Sequence, residues 1–310
     1  MDNRVAIVKC KTYEEKEVFR ALNEAFRLLN VYEQEWYMND DFVLKPNLCL
    51  PSVPEEHLTT HPQIIKQLIK ILSVKSSNIK IGDTSIGYTD HDRSSKVWDM
   101  SGMNDVIFQL GIKKVDMQKE IIFKDVIIEN EIIRLPIAKE ILQSNIINVP
   151  KLKTHSYMLL TGCVKNFYGI LAGDAKKRFH KILGKKEKFA KFLLEINKVV
   201  NNRLNIVDAV YGIEGEGPGA KGEIRYLGVL VVGYDAIMVD KVLAQIINLN
   251  SEDVLTNRFG YKEQPLIVGE NIENIKVHNY KLPTINPKND RIIEHVIEAK
   301  SSHALIEHER

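Results

Sequence analysis

Apolar and polar positions follow two spacings in the first third of the chain, one of short unbroken runs and one of helical stripes. Val5–Val8 is an apolar run of strand length, and Glu14–Leu29 places Val18, Leu22, Ala25, Phe26 and Leu29 on one helical face. Asp41–Leu44 is a second strand, closed by Pro46 and Asn47. His61–Leu72 is a second amphipathic helix, with Pro62 in its first turn and Thr60 as its N-cap. Ile79–Ile81 is a third strand and ends at Gly82–Asp83. This βαβαβ order predicts parallel strands with helices packed on the sheet.

The middle of the chain is less regular. Asp116–Asn130 and Ile132–Pro136 alternate like a pair of strands, Ile146–Val149 is a buried strand, and Phe189–Val200 is a helix. Leu204–Val207 is a further strand with Asp208 at its end. A glycine-rich loop, Gly212–Gly222, follows as either a cover over a site or a cluster of turns. Tyr226–Val232 is a strand, and Asp240 caps the helix that it begins, Asp240–Ile247. Arg291–Lys300 is a surface helix, and the tail after Ser301 is polar. The expected fold is α/β: a mainly parallel, Rossmann-like sheet with helices on both faces and a less regular middle insertion. Residues 1–284 form the core, as one body or two closely joined lobes, and residues 285–310 a helical and polar tail.

Composition narrows the class. The 310 residues are 44% hydrophobic and 27% charged, as in soluble globular proteins. The net charge of +2 gives no global nucleic-acid footprint. No apolar run is long enough for a bilayer, and the start MDNRVAIVKC has no secretory pattern. A cytoplasmic protein with no membrane or nucleic-acid partner is expected.

The chemistry concentrates between Ile146 and His180, where Lys151, Lys153, His155, Thr161, Cys163, Lys165, Asn166 and His180 follow an apolar run ending in Pro150. Ligands of parallel α/β sheets gather outside the carboxyl ends of the strands. Five strand ends carry polar or reactive groups: Lys9–Cys10, Lys45–Cys49, Gly82–Ser85, Lys151–His155 and Asp208. Lys45, Lys151, Lys153 and Lys165 together call for an anion, and Asn47, Thr161, Asn166 and Glu214 complete the ligand-binding set. His155 is the preferred acid/base, with Asp83 or Asp208 as its orienting or metal-binding partner. The Lys176–Arg178 run is read as surface. Cys10, Cys49 and Cys163 offer an alternative, a [4Fe–4S] cluster with one open iron, on the expectation that Cys10 and Cys49 end neighbouring strands.

The segments VAIVKCKTYEEKEV, LKPNL, TTHP, IGDTSIG, INVPKLKTH, TGCVKNFYG and IVDAVYGIEGEGP, with the Asp235–Asp240 pair, occur in this order. Together they resemble the family named domain of unknown function 362, over roughly Val5 to Ile247. Many of its members carry a C-terminal ferredoxin-like segment with two cysteine clusters, which is not found here. A more distant stretch, His155, Lys165, Gly173 and His180, is similar to the nickel-pincer lactate racemase family. That resemblance implies a cofactor-bearing lysine at Lys165 and catalytic or metal-binding histidines at His155 and His180. The racemases' GGRK context is here Gly162–Cys163–Val164–Lys165, and the PG before their last histidine is Ala172–Gly173.

The leading expectation is an enzyme that binds a small anionic substrate, or a phosphate-bearing or nucleotide-like cofactor, and uses Lys/His acid–base chemistry. Its reaction would be racemase- or isomerase-like, or an oxidoreduction. The alternatives are an iron–sulfur redox protein and a non-catalytic small-anion binding module. A second copy of the chain and a separate ferredoxin are the protein partners compatible with these readings.

Overall fold

A computed structural model describes residues 2–38, 41–85 and 91–284, with the side chains of 91–93 outside that description. The helix expected over Arg291–Lys300 and the polar tail lie outside the described residues. In chain order the strands are β1 (Arg4–Lys9), β2 (Asp41–Pro46), β3 (Asn78–Ile81), β4 (Lys113–Lys114), β5 (Ile121–Ile128), β6 (Glu131–Ala138), β7 (Asn145–Val149), β8 (Lys151–His155), β9 (Leu159–Thr161), β10 (Asn202–Gly215), β11 (Gly222–Gly233) and β12 (Leu266–Gly269). The helices are α1 (Glu15–Leu28), α2 (Pro62–Leu72), α3 (His91–Met100), α4 (Met103–Leu110), α5 (Lys139–Gln143), α6 (Cys163–Asn166), α7 (Ala175–Leu183), α8 (Lys186–Lys198), α9 (Ala236–Ile246) and α10 (Leu255–Arg258).

The main sheet runs β12-β1-β11-β10-β7-β2-β3-β4, with β8 paired to β10 and β9 to β8. Its pairings are mostly parallel; β11 runs antiparallel to β1 and β10, and β9 to β8. Side chains alternate between two apolar layers, as the period of two requires. Val5 and Ile7 of β1 join one layer with α8 and α9. Ala6 and Val8 join the other with α1, α2 and α4. Each buried Val, Ile or Leu contributes about 1.5–3 kcal/mol, so both layers hold the sheet. β5 and β6 form a separate antiparallel ribbon, the expected strand pair, whose Val126, Ile128, Ile133 and Leu135 enter the first layer.

Several local expectations change. β1 does not lie beside β2; its neighbours are β11 and β12. Pro150 does not end the strand region, because Lys151–His155 continues as β8. Asp208 lies inside β10 rather than after it, and the glycine-rich segment is the tip of the β10–β11 hairpin, where Tyr211–Gly215 pairs with Gly222–Tyr226 and residues 216–221 make the turn. α2 is capped by His61, whose Nδ1 accepts from Gln63 N at 3.2 Å. Thr60 Oγ1 is engaged elsewhere, accepting from Asn47 N and donating to Val149 O. Asp235, not Asp240, caps α9, accepting from Ile237 N and Met238 N.

Candidate functional site

β8 organises the site. A strand turns alternate side chains to one face, so Lys151, Lys153 and His155 share a side. Antiparallel pairing brings Thr161 of β9 directly opposite Lys153, on that same face. Lys153 is buried and donates to Asn47 Oδ1 at 2.7 Å and to Leu58 O at 2.9 Å. Asn47 Nδ2 donates to Asn166 Oδ1 at 3.0 Å, and Asn166 Nδ2 to Asn148 Oδ1 at 2.8 Å. This amide relay ties the ends of β2, β7 and β8 to α6.

From the β2–β3 side comes an ion pair, Lys45 Nζ to Asp83 Oδ1 at 2.7 Å, with both side chains 4% exposed or less. Asp83 Oδ2 also accepts from Leu48 N at 2.7 Å. Gly169 packs against the pair: a Cβ there would stand 2.1 Å from Asp83 Oδ1 and 2.7 Å from Lys45 Nζ. Lys176 Nζ donates to Thr84 O. Reading the Lys176–Arg178 run as surface is therefore wrong for Lys176, while Lys177 and Arg178 are exposed. Lys176 and His180 lie one helical turn apart on α7, so they share a face.

Lys165 is half-buried on α6 and has no hydrogen bond or ion pair among the described residues. Burial, with Lys153 and Lys176 nearby, brings its ammonium down to about 8; burial brings Lys176 to about 8 as well. Burial and the charges of Lys165, His180 and Lys153 hold His155 well below the usual histidine range. Its Nδ1 accepts from Tyr157 N at 3.1 Å and Met158 N at 3.2 Å. The imidazole is thus neutral with its proton on Nε2. His180 is pushed to about 3 by burial and by Lys165 and Lys176. The side-chain atoms His180 Nδ1, Thr161 Oγ1 and Ser85 Oγ are buried without a hydrogen-bond partner among the described residues.

α6 is seated by Asp240, which accepts from Cys163 N at 2.6 Å and from Val164 N at 3.1 Å. Burial raises that carboxyl to about 7. Its Oδ1 would stand 2.1 Å from any Cβ on residue 162, so only glycine fits there.

Lys151 and Asp208 belong to a different cluster. They pair at 3.0 Å with both side chains fully buried. Tyr13 OH accepts from Lys151 at 2.8 Å and donates to Asp208 Oδ1 at 2.8 Å, and His61 N donates to Asp208 Oδ2. Tyr13 stacks on His61 and His57 on Tyr211, which closes the cluster. Neither Asp83 nor Asp208 orients His155; backbone amides do. Glu214 faces Arg225 at 3.8 Å and accepts from Lys281 N, in the β10–β11 hairpin.

The three cysteines do not converge. Cys10 follows β1, separated from β2 by β11, β10 and β7 in the sheet. Its Sγ donates to Thr12 O within the layer of α1 and α2, while Cys163 lies in the opposite layer. Among the described residues no three His, Cys, Asp or Glu groups gather as a metal site. A cluster on Cys10, Cys49 and Cys163 does not fit this fold.

The family described as "Domain of unknown function (DUF362)" matches residues 43–245, well over half of the chain. The chain belongs to the DUF362 family. This DUF362 chain is also similar to a thylakoid-associated protein of Synechocystis sp. (strain ATCC 27184 / PCC 6803 / Kazusa). The two are 25% identical over 258 residues, covering 83% of this chain and 78% of that one. Two solved structures are similar in part. The lactate racemase apoprotein of Thermoanaerobacterium thermosaccharolyticum is 14% identical, with a TM-score of 0.44 over 76% of this chain and 54% of that one. A Thermotoga maritima protein is 12% identical, with a TM-score of 0.44 over 72% and 56%. The DUF362 chain spans little more than half the length of either. No helix among its described residues is long and apolar enough to cross a membrane.

Proposed function

We propose that the lysine–histidine cluster is the anion-binding site of an acid–base enzyme. The observation that carries this reading is a charge imbalance. Among the described residues, Lys45, Lys153 and Lys176 share the Asp83 carboxylate, while Lys165 lies near Lys153 and Lys176 and has no hydrogen bond or ion pair of its own. Burying like charges is costly unless an opposite charge joins them. A carboxylate or phosphate group on a small substrate supplies that charge. The phosphate of a phosphate-bearing cofactor would use the same ammonium groups, with Thr161 and Ser85 as hydroxyl donors.

Two residues suit proton transfer on such a substrate. An amine titrating at about 8 is mostly ammonium near neutrality and becomes more so beside a bound anion, which suits Lys165 as the charged contact and proton donor. Neutral His155, with its proton on Nε2, suits the role of hydrogen-bond donor to developing negative charge. Lys165→Met keeps the stem and removes the amine. Thermal-shift titration with sulfate and with inorganic phosphate should show stabilisation of the wild-type chain. The variant should melt no lower without ligand and bind at least about tenfold more weakly, the effect of one lost charged contact. Binding by Lys165→Met at wild-type strength would refute the assignment.

A further inference from the structure

The outer face of the β5–β6 ribbon is apolar where water calls for polar residues. Side chains of a strand alternate between faces, and an antiparallel pair that packs on one face normally turns polar residues outward on the other. Val126, Ile128, Ile133 and Leu135 fill the inner face and enter the core. The outer face carries Phe123, Asp125 and Ile127 from β5, with Ile132 and Arg134 from β6. Phe123 is 59% exposed, Ile127 68% and Ile132 70%. Ile127 stands directly opposite Ile132, and Asp125 opposite Arg134. Arg134 Nε donates to Asp125 Oδ1 at 2.9 Å, and Arg134 Nη2 to Asp125 Oδ2 at 3.2 Å.

The ribbon is fixed before any partner arrives. Ion pairs from Glu129 to Lys191 and from Glu131 to Lys188 tie its tip to α8. At its base Ala172 N donates to Pro136 O. A face held in this way loses little freedom on association.

The charge pattern selects what covers it. A two-fold dimer needs a patch complementary to itself. Two ribbons laid face to face can be related by an axis across the strands or by one along them. An axis across the strands sets Asp125 on Asp125 and Arg134 on Arg134 of the second copy. An axis along the strands sets each Asp125 on the other copy's Arg134, and each Ile127 on the other copy's Ile132. The second arrangement meets charge with opposite charge and apolar side chain with apolar side chain.

We propose that this face is a homodimer interface, with two copies packed ribbon to ribbon about an axis along the strands. Two eight-residue strands present a face of about 26 by 10 Å. A standard interface buries about 800 Å² per partner, so this dimer is weak and depends on concentration.

Analytical ultracentrifugation of the full chain, from about 10 μM to about 1 mM, should show reversible association of monomer to dimer. Ile132→Gln should weaken it at least about tenfold without lowering the melting temperature, because that side chain is exposed. Asp125→Arg puts two cations on the face, and Arg134→Asp puts two anions there. Each variant alone should stay monomeric over this range, an equimolar mixture of the two should dimerise, and the double variant should recover wild-type association. The Asp125–Arg134 pair is exposed, so both single variants should stay folded by circular dichroism. A wild-type chain still monomeric at about 1 mM would overturn the proposal, and binding of lipid vesicles by that monomer would give the face to a membrane instead. A dimer indifferent to Ile132→Gln and to both charge reversals would overturn it equally.

Discussion

A buried ammonium group is tolerated only when its surroundings answer it, and the four lysines of the site are answered unequally. Lys45 has a carboxylate, Lys153 an amide and a carbonyl, and Lys176 a carbonyl. Lys165 has none of these among the described residues. Asp83→Asn would leave Lys45 buried without its counter-charge. A loss of about 3–5 kcal/mol is expected by equilibrium denaturation, and the double variant with Lys45→Met should recover most of it. A single-variant loss under about 1 kcal/mol would show the pair to be dispensable. At this scale the sequence was only partly readable. The density of lysine and histidine after Ile146 pointed to the candidate site, where Lys165 and His180 lie near enough to His155 to act on its titration. Lys176 was hidden within a basic run that reads as solvated surface. Its i, i+4 spacing to His180 was the available signal. Asn148, a polar residue inside an apolar strand, was another, and it is the buried centre of the amide relay.

At the scale of elements, two glycines fix the site by having no side chain. Gly162 admits the Asp240 carboxylate that seats α6, and Gly169 admits the Lys45–Asp83 pair. Gly162→Ala would force the carboxylate off Cys163 N and Val164 N. We expect a loss of about 1–3 kcal/mol in denaturant titration, together with weaker sulfate binding because α6 carries Lys165. Unchanged sulfate affinity in a folded Gly162→Ala chain would separate α6 seating from binding. Periodicity gave β1, α1, β2, α2 and β3 nearly to the residue, since each is a strong apolar pattern. It could not give β8. Pro150 interrupts the backbone, and buried lysines on a strand look like a polar loop until their partners are known. It could not separate β1 from β2 either, because the strands inserted between them, β7, β10 and β11, arrive more than a hundred residues later in the chain.

For the whole molecule, a net charge of +2 conceals a local excess of cations. Anion affinity should therefore depend on both salt and pH. Lys165 and Lys176 titrate at about 8 and are half charged there, so affinity for sulfate should be greatest well below that pH and fall as pH rises through it. The ligand-free fold should behave in the opposite sense. Between about 8 and the ordinary lysine value of 10.5 the unfolded chain binds more protons, so this contribution to stability rises with pH. The two trends together identify the lysines as the titrating groups.

The most direct test couples them. Sulfate, which does not itself titrate near neutrality, is titrated calorimetrically into the chain at pH 8 in two buffers of different ionisation heat. The anion raises the lysines it touches, so binding should take up about one proton in total, and the measured heat should differ between buffers accordingly. Binding with no proton uptake, or no binding at all, would contradict an anion site built on Lys165 and Lys176.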